Sequence, residues 1–283
     1  MLDDIVFEKA QADRIALSGQ RPVSDAPVSE GVLLHASGIE VTFGGVKALA
    51  GVSFEVARGQ VYAIIGPNGA GKTTLLNVVS GVYAPSSGQL TVRGVDLTRF
   101  GVKSRASLRV GRTFQSPTLF KGMTVLGNIL VGRHSHMRAG LISCAAFWGP
   151  ARTEERLQRR RAEEILKFLG LDALKDAQVD ALPYGLQKRV ELGRALALEP
   201  ELLLLDEPMA GMTPGEKNEM VWLIRELNRS HGITVILIEH DMGVVMKISQ
   251  RILVLDHGIR IAEGSAAEVA SDPTVIAAYL GQD

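Results

Sequence analysis

Gly66-Pro67-Asn68-Gly69-Ala70-Gly71-Lys72-Thr73 follows the apolar run Val61-Tyr62-Ala63-Ile64-Ile65 and leads into Thr74-Leu75-Leu76. The apolar run has the length and content of a buried strand, and it stops at a glycine. The eight residues fit G-x-x-x-x-G-K-[ST] in the strand-to-helix setting that this pattern requires. Glycines let backbone N–H groups converge on phosphate oxygens with no Cβ in the way. The start of the following helix adds positive potential. Lys72 is then placed to reach the β- and γ-phosphates of a nucleoside triphosphate, and the Thr73 hydroxyl to ligate Mg2+.

A second element completes the chemistry. Leu202-Leu203-Leu204-Leu205 reads as another buried strand and delivers Asp206-Glu207 to the edge that carries the phosphate loop. Asp206 is placed to hold Mg2+ through water, and Glu207 to polarise a water for in-line attack on the γ-phosphate. Alone, an apolar run ending in Asp-Glu marks only a strand end; paired with the phosphate loop it becomes specific. Ile233 to Ile238 is a further buried run and leads into Glu239-His240-Asp241. Val52, Phe54 and Val56 alternate with Ser53 and Glu55, which is strand periodicity, and Arg251 to Ala262 reads as a hairpin around Asp256-His257-Gly258. Glu154 to Leu169 and Gln187 to Leu198 carry helical spacing. The pattern predicts a parallel α/β core, residues 32–118 and 200–283, interrupted by a helical insert at 119–199. Residues 1–31, mixed in charge and ending in a Pro/Ser-containing stretch, read as a flexible tail.

Composition narrows the class. The chain has 283 residues, 46% hydrophobic and 22% charged, which is globular and not disordered. Lys and Arg total 31 and so do Asp and Glu, a balance that argues against a dedicated nucleic-acid binder. The single cysteine, Cys144, offers no disulfide framework, so a reducing compartment is expected. The longest uncharged stretches, Thr73 to Val92 and Ala139 to Ala151, are polar or too short for a membrane span. Asp3, Asp4 and Glu8 stand where a secretory leader would be basic. Work at a membrane would need another chain as its anchor.

The order of the phosphate loop, Gln115, Leu182-Pro183-Tyr184-Gly185-Leu186-Gln187, Leu202 to Glu207 and His240 resembles that of ATP-binding cassette ATPases, over about residues 32 to 283. Gly111-Arg112-Thr113-Phe114-Gln115, Met123-Thr124-Val125, Ile238 to Met242, Asp272-Pro273 and Ala278-Tyr279-Leu280-Gly281 look like the ATP-binding subunits of high-affinity branched-chain amino acid importers. The resemblance implies a P-loop NTPase (RecA-like) core with an N-terminal antiparallel β subdomain and an inserted α-helical subdomain. It implies ATP and Mg2+ as cofactors, cradled by Gly66, Pro67, Asn68, Gly69, Ala70, Gly71, Lys72, Thr73 and Thr74, with Thr73, Gln115 and Asp206 toward the metal. It implies that Phe43 stacks on adenine, although a strand-core place for Phe43 fits the residues too. Gln115 would sense Mg2+ and the attacking water, and His240 would contact the γ-phosphate. The segment containing Gly185 and Gln187 would cap ATP held by a second cassette, identical or not.

By the same resemblance the partners are transmembrane permease subunits and, indirectly, a periplasmic or extracellular solute-binding protein. The chain would sit peripherally on the cytoplasmic face of the inner (plasma) membrane. The solute would be a branched-chain or other aliphatic amino acid, with urea or a short-chain amide as the alternative. A face near Gln115, with Leu119, Phe120, Met123, Leu126, Ile129 and Leu130, is expected to meet the permease, some of it buried in the insert.

The capping segment departs from the usual Leu-Ser-Gly-Gly-Gln. Pro183 replaces the serine, Tyr184 the first glycine and Leu186 the glutamine, and a glutamine returns at Gln187. Pro183 is expected in the first turn of a helix beginning near Gly185. Thr213 stands where many cassettes carry an aspartate that touches the partner. Two other classes share this machinery. DNA-repair and chromosome ATPases carry a long coiled coil between the two nucleotide segments, and the insert here has no sustained heptads. Translation-associated ATPases carry two cassettes, and one phosphate loop is present. His134, His136 and Cys144 are too few donors for a metal site. Arg152, Arg156 and Arg159 to Arg161 are interleaved with glutamates at ion-pair spacing and read as a solvated helix face.

Overall fold

In the computed structural model, residues 31–136 and 150–280 are described. Two sheets form. The first is antiparallel and joins β1 (Val32–Phe43), β2 (Val46–Ala57), β4 (Ser87–Val92) and β5 (Val95–Asp96) in the order β2-β1-β4-β5. The second joins β3 (Val61–Ile65), β6 (Val110–Arg112), β7 (Leu202–Asp206), β8 (Thr234–Ile238), β9 (Arg251–Asp256) and β10 (Ile259–Gly264) in the order β10-β9-β3-β8-β7-β6. All its pairings are parallel except the β9–β10 hairpin, whose turn falls at His257-Gly258 as the sequence predicts.

The continuous apolar runs are explained by cover on both faces. Successive residues of β7 enter different cores: Leu202 and Leu204 pack with β1, β2 and helix α1 (Lys72–Val79), while Leu203 and Leu205 pack on the other face. Burying each leucine side chain contributes about 1.5–3 kcal/mol. The other α-helices among the described residues are α2 (Val102–Ser107), α3 (Val125–Gly132), α4 (Pro150–Phe168), α5 (Tyr184–Leu196), α6 (Pro214–His231), α7 (Met242–Ile248), α8 (Ala266–Ser271) and α9 (Pro273–Leu280).

Between β6 and β7 lie α3, α4 and α5. They share a core through Val125, Ile129, Leu166, Leu169 and Val190. The outer face of α4 carries Arg159–Glu163 and Arg160–Glu164 pairs at 3.4 and 3.2 Å, the solvated ladder expected there. Of the apolar residues expected to meet a permease, Leu126 and Ile129 are interior and Leu119 and Leu130 are packed against the core, so these four are not a surface. Phe120 and Met123 are exposed, and the Arg194 guanidinium lies over the Phe120 ring at 5.9 Å. Among the described residues no helix is long and apolar enough to cross a membrane. The tail expected at 1–31 lies outside the described residues apart from Gly31, as does Cys144.

Candidate active site

Four parallel strands end side by side, and each delivers one part of the site. β3 runs into the phosphate loop, β8 into Glu239 and His240, β7 into Asp206 and Glu207, and β6 into Arg112 and, three residues on, Gln115. The register holds the delivery level: Asp206 pairs with Ile238, Ile64 with the same Ile238, and Arg112 with Leu204. A crevice outside the carboxyl ends of parallel strands is where α/β sheets bind their ligands.

The phosphate loop needs its glycines for measurable reasons. Gly66 has φ +145°, and a Cβ there would lie 2.0 Å from the Leu255 carbonyl oxygen. Gly71 has φ +98°, and its Cβ would meet the Ala48 carbonyl oxygen at 2.7 Å. The loop is thus pressed on from outside by β2 and by the β9–β10 hairpin. Gly258 N–H donates to the Ala70 carbonyl at 3.1 Å, and Gly258 C=O accepts from Ala50 N–H at 2.9 Å. α1 begins at Lys72, two residues earlier than the apolar pattern marks it. The Lys72 ammonium is buried and donates to the Gly66 and Pro67 carbonyls, both at 2.7 Å. Burial lowers its pKa, and the Glu207 and Asp206 carboxylates oppose that shift.

Glu207 sits at the centre of the predicted set. Its backbone has φ +46°, a left-handed conformation that is rare and costly for a residue with a side chain. Its N–H donates to Ile238 C=O at 3.0 Å, which ties the strained residue to the next strand. Gln115 Nε2 donates to Glu207 Oε2 at 2.9 Å, and His240 Nε2 lies 2.7 Å from Glu207 Oε1. Three residues far apart in sequence therefore meet on one carboxylate.

Asp206 is buried. Its Oδ2 accepts from Arg112 Nη2 at 3.1 Å, and its Oδ1 has no hydrogen-bond partner. Desolvation raises its pKa, and the Arg112 guanidinium pulls it back. The unpartnered buried carboxylate oxygen of Asp206 and the exposed Thr73 hydroxyl at the start of α1 are oxygen donors of the kind a hard divalent cation takes. These residues fit Mg2+.

Phe43, at the end of β1, is 46% exposed and meets Tyr83 edge-on at 5.2 Å, so it is not strand core. The start of the capping segment differs from expectation. α5 begins at Tyr184, and Pro183 is its N-cap (φ −53°, ψ 149°), not part of its first turn. Proline has no side-chain oxygen, so no side-chain cap bond forms there. Gly185 is buried inside this chain: a Cβ on it would lie 2.1 Å from Glu216 Oε1. Gln187 Nε2 donates to Leu182 C=O at 2.8 Å. Thr213 caps α6, exchanging side-chain and backbone hydrogen bonds with the same Glu216.

Four charged residues were not singled out as functional from the sequence. Arg112 appears there only inside a family motif. Lys188, Glu191 and Glu239 look like ordinary helix or strand-end charges, since nothing in their spacing marks them as buried. In the fold Glu239 accepts from Met209 N–H at 2.9 Å and His240 N–H at 3.2 Å, and burial raises its pKa. Glu191 accepts from the N–H groups of Phe114 and Thr118 at 3.1 and 3.4 Å, and burial raises its pKa as well.

A family model described as "ABC transporter" matches residues 49–210, and one described as "Branched-chain amino acid ATP-binding cassette transporter" matches residues 260–283. The chain is 41% identical over 250 residues to the high-affinity branched-chain amino acid transport ATP-binding protein LivG of Salmonella typhimurium, covering 88% of this chain and 98% of that protein. It is 39% identical over 254 residues to BraF of Pseudomonas aeruginosa, of the same description, with the same coverage of 88% and 98%. Among solved structures it is similar to the ADP conformation of MJ1267, an ATP-binding cassette of an ABC transporter, with TM-score 0.77, 37% identity and coverage of 89% and 99%. It is also similar to a dimeric post-hydrolysis state of the cassette MJ0796 bound to ADP and Pi, with TM-score 0.71, 25% identity and coverage of 83% and 99%.

Proposed function

The chain belongs to the ABC transporter ATPases, and from that premise we propose that it is the ATP-hydrolysing subunit of an importer for branched-chain or other aliphatic amino acids. The observation that carries the hydrolytic reading is Glu207, held by Gln115 at 2.9 Å and His240 at 2.7 Å beside the phosphate loop. The names of the curated relatives support the solute class.

On this reading the phosphate loop and Lys72 bind the β- and γ-phosphates, and the Lys72 ammonium exchanges its loop carbonyls for phosphate oxygens. Phe43 stacks on the adenine. The Glu207 carboxylate takes the proton of a water as that water's oxygen bonds to the γ-phosphorus and the bond to the bridging oxygen of ADP breaks, giving ADP and phosphate. Gln115 and His240 occupy one carboxylate oxygen each, so they fix its direction; His240 also faces the γ-phosphate. Thr73, Asp206 and Gln115 are the residues that would hold Mg2+. When bound, that ion neutralises charge on the phosphates. Gly185 and the start of α5, the segment that includes Gln187, face ATP bound by a second cassette, and the dimeric form of MJ0796 supports a working pair. Phe120 and Met123 form the part of the insert offered to a permease. The chain then works peripherally on the cytoplasmic face of the membrane.

Two measurements test this. Glu207→Gln should retain ATP binding and lose about 10² or more in turnover, the scale of a positioned base; wild-type turnover would refute the assignment. Cells lacking this chain should lose high-affinity uptake of labelled leucine and regain it with the wild-type gene but not with Glu207→Gln. Unchanged leucine uptake with lost urea uptake would move the solute to the alternative class.

A further inference from the structure

Lys188 lies one turn into α5 and is almost wholly buried, at 2% exposure. Its ammonium donates to three backbone carbonyls: Gln115 at 2.6 Å, and Phe114 and Glu207 at 3.3 Å each. An ammonium has three N–H donors and no acceptor, so the match to three converging carbonyls is complete. Two of those carbonyls belong to the residues whose side chains meet on the proposed catalytic carboxylate. The third links them to the strand β6 that delivers Gln115. Glu191, one turn further along α5, takes the N–H groups of Phe114 and Thr118. One face of one helix therefore grips the Gln115 segment by its carbonyls and its amides together, and reaches across to the strained Glu207.

We infer that Lys188 is a positioning residue for hydrolysis: it ties α5, whose first residues form the capping segment, to the backbones of Gln115 and Glu207. A buried cation is a costly device where packing alone is wanted, since removing an ion from water needs full compensation. Here the compensation comes from two separate loops, and the charge holds them at one distance. A shift of α5 when the capping segment engages a second cassette is thereby passed to Gln115 and Glu207 at once. The inference rests on the assignment of those two residues to the hydrolytic step.

The test uses the full chain with Mg·ATP. Turnover, KM and affinity for a fluorescent ATP analogue are measured for the wild type, Lys188→Met, Lys188→Arg, Gln115→Ala, Glu207→Gln and the double variant Gln115→Ala/Lys188→Met. Misplacing reacting groups by about 1 Å costs on the order of 10²-fold. Lys188→Met should therefore lose about 10- to 100-fold in kcat while analogue affinity and KM stay within about threefold, and Lys188→Arg should recover part of the loss. In the Gln115→Ala background the methionine should cost much less than in the wild type, because both act on one geometry. Turnover of Lys188→Met within twofold of wild type overturns the inference, and so do losses in the two backgrounds that simply multiply. If Lys188→Met does not fold, Lys188→Arg alone and with Gln115→Ala carries the same comparison, and equal loss of affinity and turnover in it assigns Lys188 to stability only. Glu207→Gln separates the two levels: wild-type turnover there removes the underlying assignment, whereas an inactive Glu207→Gln beside an unaffected Lys188→Met removes this inference alone.

Discussion

Replacing Arg112 with methionine keeps most of the apolar stem of the side chain and deletes the charged guanidinium. In the native fold Arg112 and Asp206 are paired at 3.1 Å with side chains only 8% and 4% exposed. Arg112 Nη1 also donates to Asn77 Oδ1 at 2.7 Å and Ser80 Oγ at 2.5 Å. Breaking a buried pair from one side costs about 3–5 kcal/mol, because the remaining charge stays desolvated. At about 2–4 °C per kcal/mol for a chain of this size, the melting temperature should fall by about 6–20 °C. The deficit should depend on pH. Burial already holds the Asp206 pKa above the ordinary carboxylate range, with Arg112 acting to lower it. Without Arg112 it rises further. A carboxyl whose folded pKa is raised costs nothing while protonated and destabilises as pH rises through that pKa. The deficit relative to wild type should thus be full at about pH 8 and shrink toward about pH 5. Thermal and urea melts at both pH values, on Arg112→Met and on Arg112→Met/Asp206→Asn, decide it. The double variant should recover most of the loss, since no unpaired charge remains. A deficit equal at both pH values, or a double variant no more stable than the single one, would refute the account.

Three further outcomes follow from the capping region. Pro183→Ser places a hydroxyl at the N-cap of α5 and should stabilise the chain by about 0.5–2 kcal/mol in a monomer melt, before any tightening of the ATP-bound dimer is sought by sedimentation. Gly185→Asp pushes a carboxylate toward Glu216 within one chain and should lower the melting temperature of the isolated protein as well as its turnover; an unchanged melt would refute the contact inside the chain. Thr213→Ala removes the α6 cap and should cost about 1 kcal/mol in urea melts, and an unchanged melt would refute a stabilising cap.

Most of the core was readable because its strands are covered on both faces. That makes Val61 to Ile65 and Leu202 to Leu205 unbroken apolar runs, leaves one threonine within Ile233 to Ile238, and each run leads directly into a segment of the site. The hairpin at His257-Gly258 was equally plain. The predicted Glu207, Gln115 and His240 do converge, but their ordering in the chain says nothing of distance; it was the resemblance that linked them. What stayed hidden was burial of charge. Lys188 and Glu191 have the i, i+3 spacing of a solvent-facing pair, and only the packing of α5 under the Gln115 segment turns them inward. The start of α5 was misjudged for a related reason. Proline favours the first turn, and it is the extended ψ of Pro183, which the sequence does not display, that leaves it at the N-cap instead. The Cβ that Gly185 lacks would fall on Glu216 of α6, a second reason for a glycine there that the sequence does not display.

The outside wall of the phosphate loop comes from the far end of the chain. Leu255 C=O stands against Gly66, and Gly258 is bonded to both Ala70 and Ala50. During synthesis, residues 66–73 leave the ribosome when about 180 residues are still to be added, and at 5–20 residues per second the hairpin arrives roughly ten seconds or more later. Throughout that interval the loop lacks the surface that shapes it. In a nascent chain the loop therefore takes its final shape only once the β9–β10 hairpin has emerged and packed against it.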